Sequence, residues 1–454
     1  MQFFEEMGIV IERRWRERNY SELAFPDIAA EALAEAGAIE KVDPQDILRA
    51  LHTTGTLPDQ HKDEFSDLPV TLYRTPRFTI DVYFWLDGTT AIHQHSFSGA
   101  FQVLQGSSIH NIYDFEEGQE VSAHFSIGQV ALEEVQSLRR GEIRKILPGR
   151  RFIHSLFHLD RPSVTLTVRT TQDPNALPQY TYLKPYFSLN PFFRDQVLAK
   201  KVDSVLMLLR MGHSVAYSLI DELVSSSDFH TTHLVLSTAF EHLVGQASQG
   251  LGAPDEGNGQ HLHLSDERSR FHELLKKSRR RHGSLMNFLI PVLGEMQRQR
   301  ALINLRARVT DSEHRFFLAL LLNVDERATI LELVRQRFSD KDPVETVCDW
   351  VRDLSLIKGG NSRQASVLGL EALDEAHLFV LKHSLEGLSV EQIKSLGGGP
   401  NGGGEVSAGE IERAHDSLQR SILLRSIISE TTAVIGGATA PSFLGPRPAQ
   451  VVSA

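Results

Sequence analysis

Two histidines one residue apart, His93 and His95, stand in the run GTTAIHQHSFSGAFQVLQG between Gly88 and Gly106. On a β-strand, residues i and i+2 face the same way. The pair therefore sets two imidazoles on one face, and the fold must give that face an interior to point into. If the face lines a barrel, both rings reach one metal ion. Imidazole suits iron, copper, nickel or zinc, and open positions beside such ligands allow oxygen chemistry.

A matching half lies downstream in GEIRKILPGRRFIHSLFH, which holds Pro148-Gly149 and then His154 and His158. Pro-Gly marks a tight turn. Phe152 to Phe157 reads as the strand leaving it, and Val164 to Val168 alternates apolar residues with Thr as the next strand. His154 is the natural third ligand. His158 shares its parity and faces the same side if the strand continues that far.

Around these motifs the period of the apolar residues changes twice. Residues 1–57 read as helical: IAAEALAEAGAIEKV is rich in Ala and Glu, and Asp43-Pro44 looks like a helix start. From about residue 68 the runs LPVTLYR, FTIDVYFW, GAFQVLQG, SSIHNIYDF, EVSAHFSI, EIRKILP and SVTLTVRT are β-branched and aromatic, with turn residues between them. Some seven short strands suit a compact barrel. Beyond LPQYTYLKPYFSLNPFF, apolar residues recur at i, i+3, i+4 and i+7, which predicts about nine helices from 190 to 435. No fixed-period repeat supports a solenoid.

The two histidine-bearing halves resemble the paired motifs of the cupin family, small double-sheet β-barrels. Gly88, His93, His95 and Gly106 follow the first motif, and Gly141, Pro148, Gly149 and His154 the second, with His158 where Asn is usual. The carboxylate ligand of the first motif falls on Gly99, so the resemblance implies a three-histidine site. A three-histidine cupin is similar to the thiol dioxygenases, the cysteine dioxygenase group. In that group Tyr-x-Arg precedes an aromatic-led strand ending in Trp, and here Tyr73-Arg74 precedes Phe78 to Trp85. The resemblance gives Arg74 the role of substrate-carboxylate anchor, with Tyr73 beside it. Arg169, on the strand after His154, is the rival anchor. Gln102 and Tyr113 are two further residues whose facing parity alone leaves open.

Composition narrows the classes. With 41% hydrophobic and 23% charged residues over 454, the chain is that of a soluble globular protein with two or three domains. A net charge of -11 argues against a general nucleic-acid binder. The single cysteine, Cys348, excludes internal disulfides, sits in an amphipathic pattern as a buried thiol, and fits a reducing, cytoplasmic setting. The beginning MQFFEEMGIVIERRWRERN has no basic-then-apolar order, so a secretory signal is not expected. No apolar run reaches the ~18 residues of a membrane span. The second HxH, His261-Leu-His263, lies in a Gly/Asn/Asp-rich stretch and reads as a loop, and the basic run Lys276 to Arg281 reads as a solvated helix face. The stretches 250–260 and 396–409 read as flexible loops.

The expectation is an α+β protein: leading helices and a cupin-type β-barrel over 1–188, an all-α domain over 189–436, and a disordered tail over 437–454. His93, His95 and His154 would hold Fe(II), or another divalent metal. The function expected is a mononuclear non-haem iron oxygenase that takes O2 and a small carboxylate-bearing substrate, a thiol or amino acid among the candidates. The alternative is a metal-binding small-molecule sensor whose helical domain mediates output or oligomerisation. A third reading keeps the metal as zinc or manganese for Lewis-acid isomerisation or hydrolysis.

Overall fold

A computed structural model describes residues 2–53, 55, 57–60, 65–171, 178–193, 195–243, 260–358, 366–397, 406–428 and 450–451. The chain opens with helices α1 (Gln2–Glu17), α2 (Phe25–Ala36), α3 (Ala38–Lys41) and α4 (Pro44–Thr53). In α1 the buried residues Phe4, Met7, Ile11 and Trp15 recur at helical spacing and form one apolar stripe. Helix α2 starts with Pro26 in its first turn and stops at Gly37, whose φ of 67° is the left-handed conformation that glycine adopts freely.

Ten strands then build two antiparallel sheets: β1 (Leu68–Arg74), β2 (Phe78–Trp85), β3 (Gly99–Gln105), β4 (Ser108–Ser122), β5 (Phe125–Leu138), β6 (Ile143–Ile146), β7 (Ile153–His158), β8 (Ser163–Thr170), β9 (Thr181–Leu183) and β10 (Phe187–Leu189). One sheet has the order β1-β2-β8-β3-β6 and the other β7-β4-β5-β10-β9. The expected barrel is an open sandwich: the two sheets face each other without closing. Phe101 and Val103 of the first sheet pack on Leu138 and Leu156 of the second.

Alternation along β2 explains the layering. Phe78, Ile80, Val82 and Phe84 join the core under α1 and α2. Thr79, Asp81, Tyr83 and Trp85 face the opposite way, toward the second sheet. All eight residues are buried, because helices cover one face and a sheet the other. The same parity sends Val164, Leu166 and Val168 of β8 outward to the helices and Thr165, Thr167 and Arg169 inward.

Helices α5 (Gln196–Arg210), α6 (Val215–Ser226), α7 (Phe229–Leu243), α8 (Gln260–His282), α9 (Met286–Leu305), α10 (Ser312–Asn323), α11 (Arg327–Arg337), α12 (Pro343–Leu356), α13 (Glu375–Leu385), α14 (Val390–Gly397), α15 (Ala408–Arg420) and α16 (Arg425–Ile428) follow, more segments than the nine expected. Arg315 to Asn323 of α10 are all buried, the mark of a helix surrounded by others. The change from strand to helix near residue 189 is not a boundary between cores. Ile109, Val135, Phe157 and Leu159 of the strand half share one apolar cluster with α10, α12 and α15. Phe125, Ile127 and Phe187 share another with α6 and α7. Tyr113 donates to Asn323 Oδ1 at 3.0 Å, and buried Lys184 pairs with Asp325 at 3.2 Å. The helical half is therefore packed onto the outer face of the second sheet.

Two local readings change. The backbone of His261 and His263 is helical, part of α8, where i and i+2 do not share a face. Gln450–Val451, expected in a disordered tail, form a short strand parallel to Glu134 and Val135 of β5, the backbone of β5 giving them a ladder. The rest of the tail, residues 250–259 of the first expected loop and 398–405 of the second lie outside the described residues, while 396–397 and 408–409 belong to the ends of α14 and α15.

Candidate metal centre

His93 and His95 sit in the crossing between β2 and β3, held by bridges rather than by a full strand. His93 exchanges backbone hydrogen bonds with His154 of β7, 2.9 Å each way, and Gly149 N–H donates to His95 O at 2.8 Å. The first motif is thus laid against the second motif by main-chain bonds, and the Pro148-Gly149 turn positions them. One ring nitrogen from each of His93, His95 and His154 lies within 4.8 Å of the other two, and all three residues are buried. Among the described residues they are the one such group, and it contains no carboxylate.

The missing carboxylate has a steric cause. A Cβ placed on Gly99 would lie 2.1 Å from the Val168 carbonyl oxygen and 2.9 Å from Arg169 Cα. Strand β8 runs too close for any side chain there.

Three neutral imidazoles are what the burial enforces. The His93 pKa is lowered by burial, and those of His95 and His154 lie well below the ordinary value, from burial first and neighbouring histidines second. His93 Nδ1 donates to the Ala91 carbonyl at 2.8 Å, which leaves the lone pair on Nε2. That Nε2 is buried and has no hydrogen-bond partner. His95 Nε2 and His154 Nε2 are 2.8 Å apart. An orphaned lone pair converging with two further imidazole nitrogens fits a divalent cation of the borderline class. The donor set does not discriminate between metals.

A fourth histidine stands behind the three, and the sequence reading missed it. His110 of β4 places Nε2 3.0 Å from His154 Nδ1. Its pKa is pushed down to about 3, by burial first and the Arg144 charge second. Gln136 of β5 reaches His110 Nδ1 through its amide nitrogen at 3.3 Å, and its carbonyl oxygen accepts from Arg144 Nε at 3.0 Å. The only sequence signal was parity: His110 is opposite Gln136 on β5 and Leu156 on β7, both inward-facing.

His158, the expected alternative ligand, is also inward and buried but stands apart from the three. Its ring stacks on Trp85 with centroids 4.4 Å apart. Both ring nitrogens lack a partner, and its backbone carbonyl accepts from Arg306 Nη2 at 3.3 Å.

The two residues expected beside the metal are elsewhere. A bulge in β1 pairs Thr71 with Asp81 but Tyr73 with Ile80, which turns Tyr73 to the outer face. There it packs in the core beneath the leading helices, against Phe78 and Gly8. Arg74 is exposed at the sheet edge, where its guanidinium donates to the Asp59 carbonyl at 3.1 Å. Gln102 and Tyr113 point away from the site, Gln102 to the Gly141 carbonyl and Tyr113 to Asn323.

Arg169 does reach the site. A cavity of about 370 Å³ opens beside the histidines, lined by His95 and His154 together with Tyr83, Trp85, Phe97 and Arg169. Asp81 Oδ2 accepts from Arg169 Nε at 3.1 Å, and the guanidinium lies 4.9 Å from the Phe97 ring centroid. The arginine is thereby oriented by a buried carboxylate and an aromatic face, and its charge contributes to the lowered pKa of His95.

No protein-family model matches this chain. No curated protein matches it. Among solved structures it is similar to the capsular polysaccharide assembling protein CapF from Staphylococcus aureus, at 18% identity over 34% of this chain and 47% of that chain, with a TM-score of 0.17. A second structure of that protein gives 16% identity over 34% and 43%, again at a TM-score of 0.17. A third, of CapF with the inhibitor 3-isopropenyl-tropolone, gives 20% identity over 28% and 36%, also at 0.17. The chain thus spans less than half the length of these proteins, and its reading rests on its own residues.

Proposed function

We propose that the protein is a mononuclear non-haem iron oxygenase of the cupin type, similar in its site to the thiol dioxygenases, acting on a small carboxylate-bearing molecule. The observation that carries this reading is the convergence of three buried neutral imidazoles, two of which line a cavity whose wall also holds Arg169. Three neutral ligands leave a bound Fe(II) its full positive charge, which favours an anionic donor and O2 at the positions the protein leaves open. Arg169 holds the substrate carboxylate through charge-assisted hydrogen bonds, with Asp81 fixing the guanidinium. His93 and His154 are kept in place by Ala91 and His110. Trp85, Phe97 and Phe101 line the cavity and exclude water from the reacting groups.

The test is metal analysis of protein purified without added metal, followed by oxygen uptake with panels of thiols and amino acids. Iron with substrate-dependent uptake supports the reading. Zinc or manganese with no uptake moves the chemistry to Lewis-acid catalysis. A sensor is the second reading, and one contact favours it. Trp85 of the cavity wall stacks on His158, whose carbonyl is held by Arg306 of the helical half. A ligand that shifts Trp85 would then be felt by the helices. Ligand binding without turnover would support that reading.

A further inference from the structure

We propose that the acid this cavity takes carries a flat apolar body of phenyl size or larger, in place of the short polar chain of a small amino acid. The inference rests on the preceding reading for its carboxylate on Arg169, and on the cavity walls for the rest. At about 370 Å³ the cavity falls at the lower end of the ~300–1,000 Å³ that encloses drug-sized ligands. A small amino acid would leave much of that space to water.

The walls say what fills it. Phe65, Tyr83 and Trp85 form an edge-to-face cluster, with Phe65 centred 5.5 Å from Tyr83 and 5.3 Å from Trp85. The polar atoms of this wall are already engaged: Trp85 Nε1 donates to Thr165 Oγ1 at 3.2 Å, and the Tyr83 hydroxyl donates to Asp81 at 3.4 Å. What these rings offer a ligand is therefore apolar surface. Phe101 adds a further apolar wall, and Phe97 lies under the Arg169 guanidinium. A molecule with its carboxylate at Arg169 must lay its body along these rings, and an aromatic body matches their edges and faces. Water removed from that much apolar surface makes a phenyl-bearing acid bind roughly ten- to hundred-fold tighter than its short-chain counterpart.

The test is calorimetric titration of the full-length, metal-free protein with three probes: 3-phenylpropanoate, propanoate and 3-phenylpropan-1-ol. Trp85 quenching provides a second signal. The expected result is that 3-phenylpropanoate binds at least tenfold tighter than either of the others. In Arg169→Gln the acid loses its advantage over the alcohol while alcohol binding persists. Should Arg169→Gln fail to fold because Asp81 loses its partner, Arg169→Lys keeps a cation beside Asp81 and is expected to weaken only the acids. Propanoate binding as tightly as 3-phenylpropanoate overturns the apolar body. The alcohol binding as tightly as the acid overturns the carboxylate, and no binding by any probe overturns both. Because the titration uses no metal, its outcome is independent of the oxidation reading, which fails separately if iron-loaded protein that binds 3-phenylpropanoate consumes no oxygen with any acid of that class, thiol-bearing acids included.

Discussion

His110 Nε2 stands 3.0 Å from His154 Nδ1, and the direction of that bond is set two residues away by Arg144. Arg144 donates to the Gln136 carbonyl oxygen, so the Gln136 amide nitrogen faces His110 Nδ1. His110 then carries its proton on Nε2 and gives it to His154 Nδ1, and His154 keeps its own proton on Nε2, shared with His95. For His154 to offer its Nε2 lone pair to a cation, both rings must move their proton to Nδ1. That sets the His110 N–H against the Gln136 amide. The metal-free arrangement is thereby favoured by Gln136, and metal binding works against it.

Replacing Gln136 with Glu is expected to reverse this. A carboxylate still accepts from Arg144 and also accepts from His110 Nδ1–H. Metal affinity should rise by about tenfold, the lower end of what outer partners of a ligating histidine contribute. His110→Leu should lower it by a similar factor, with His110→Gln restoring part of the loss. Competition with a chelator measures all three, and equal affinities across the series would remove His110 and Gln136 from the site.

Much of this site was legible. The HxH, the Pro148-Gly149 turn and the later His154 gave the three rings, because strand parity and turn chemistry are local. His110 was not legible, since its role depends on the pairing of β4 with both β5 and β7. Most of strand β5 was missed: ALEEVQSL is rich in helix formers, and only its place in a long hairpin makes it a strand. The run EVSAHFSI, read as one strand, holds the hairpin turn at Ala123-His124. Tyr73 and Arg74 were placed by the family resemblance alone; a bulge in β1 turns Tyr73 to the outer face, and no sequence pattern marks that bulge.

The three histidines should act as one unit. His93→Ala, His95→Ala and His154→Ala are each expected to remove most of the bound metal with the fold retained, read by elemental analysis and circular dichroism. His158→Ala is expected to keep it, because His158 lies on Trp85 and outside the group. Full occupancy in the His154→Ala protein would move the third ligand.

The two arginines should separate. Arg169→Lys loses the planar donor set and should weaken use of a carboxylate substrate by about 1.5–3 kcal/mol, the scale of a hydrogen bond to a charged group. Arg74→Lys should behave as the unaltered protein, since Arg74 lies at the exposed sheet edge and donates to the Asp59 carbonyl, away from the histidines. Steady-state kcat/KM under constant metal loading checks both. The opposite ranking would return the anchor to β1.

Acid should destabilise the protein through buried histidines outside the metal centre too. His233 of α7 lies between Phe125 and Phe187, with neither ring nitrogen partnered, and burial pushes its pKa from 6.5 to about 3. Between those values the unfolded chain binds the proton and the folded chain does not. Stability therefore rises with pH across the window and is lost as pH falls below the ordinary histidine value. The loss approaches about 3 kcal/mol near pH 4. His233→Phe removes this term, so its melting-temperature advantage over the unaltered protein should widen from pH 7 to pH 4.5. A gap independent of pH would mean that His233 takes up its proton at the same pH in the folded and the unfolded chain.

A chain ended at residue 188 should not form a stable, soluble sandwich. Ending it there uncovers Ile109, Val135, Phe157 and Leu159, now shared with α10 and its neighbours, and Phe125, Ile127 and Phe187, now shared with α6 and α7. Seven large apolar side chains, in two clusters, would then face water, and large exposed apolar patches favour aggregation. The cut also removes Arg306 from the His158 carbonyl, Arg315 from Asp87, and Asp325 from buried Lys184. The truncated protein is expected to aggregate or to bind a hydrophobic dye strongly and to lose its metal. If it instead stays monomeric with metal bound, the helical half is a cover that the sandwich can shed, and the two cores that cross residue 189 contribute little to the strand half.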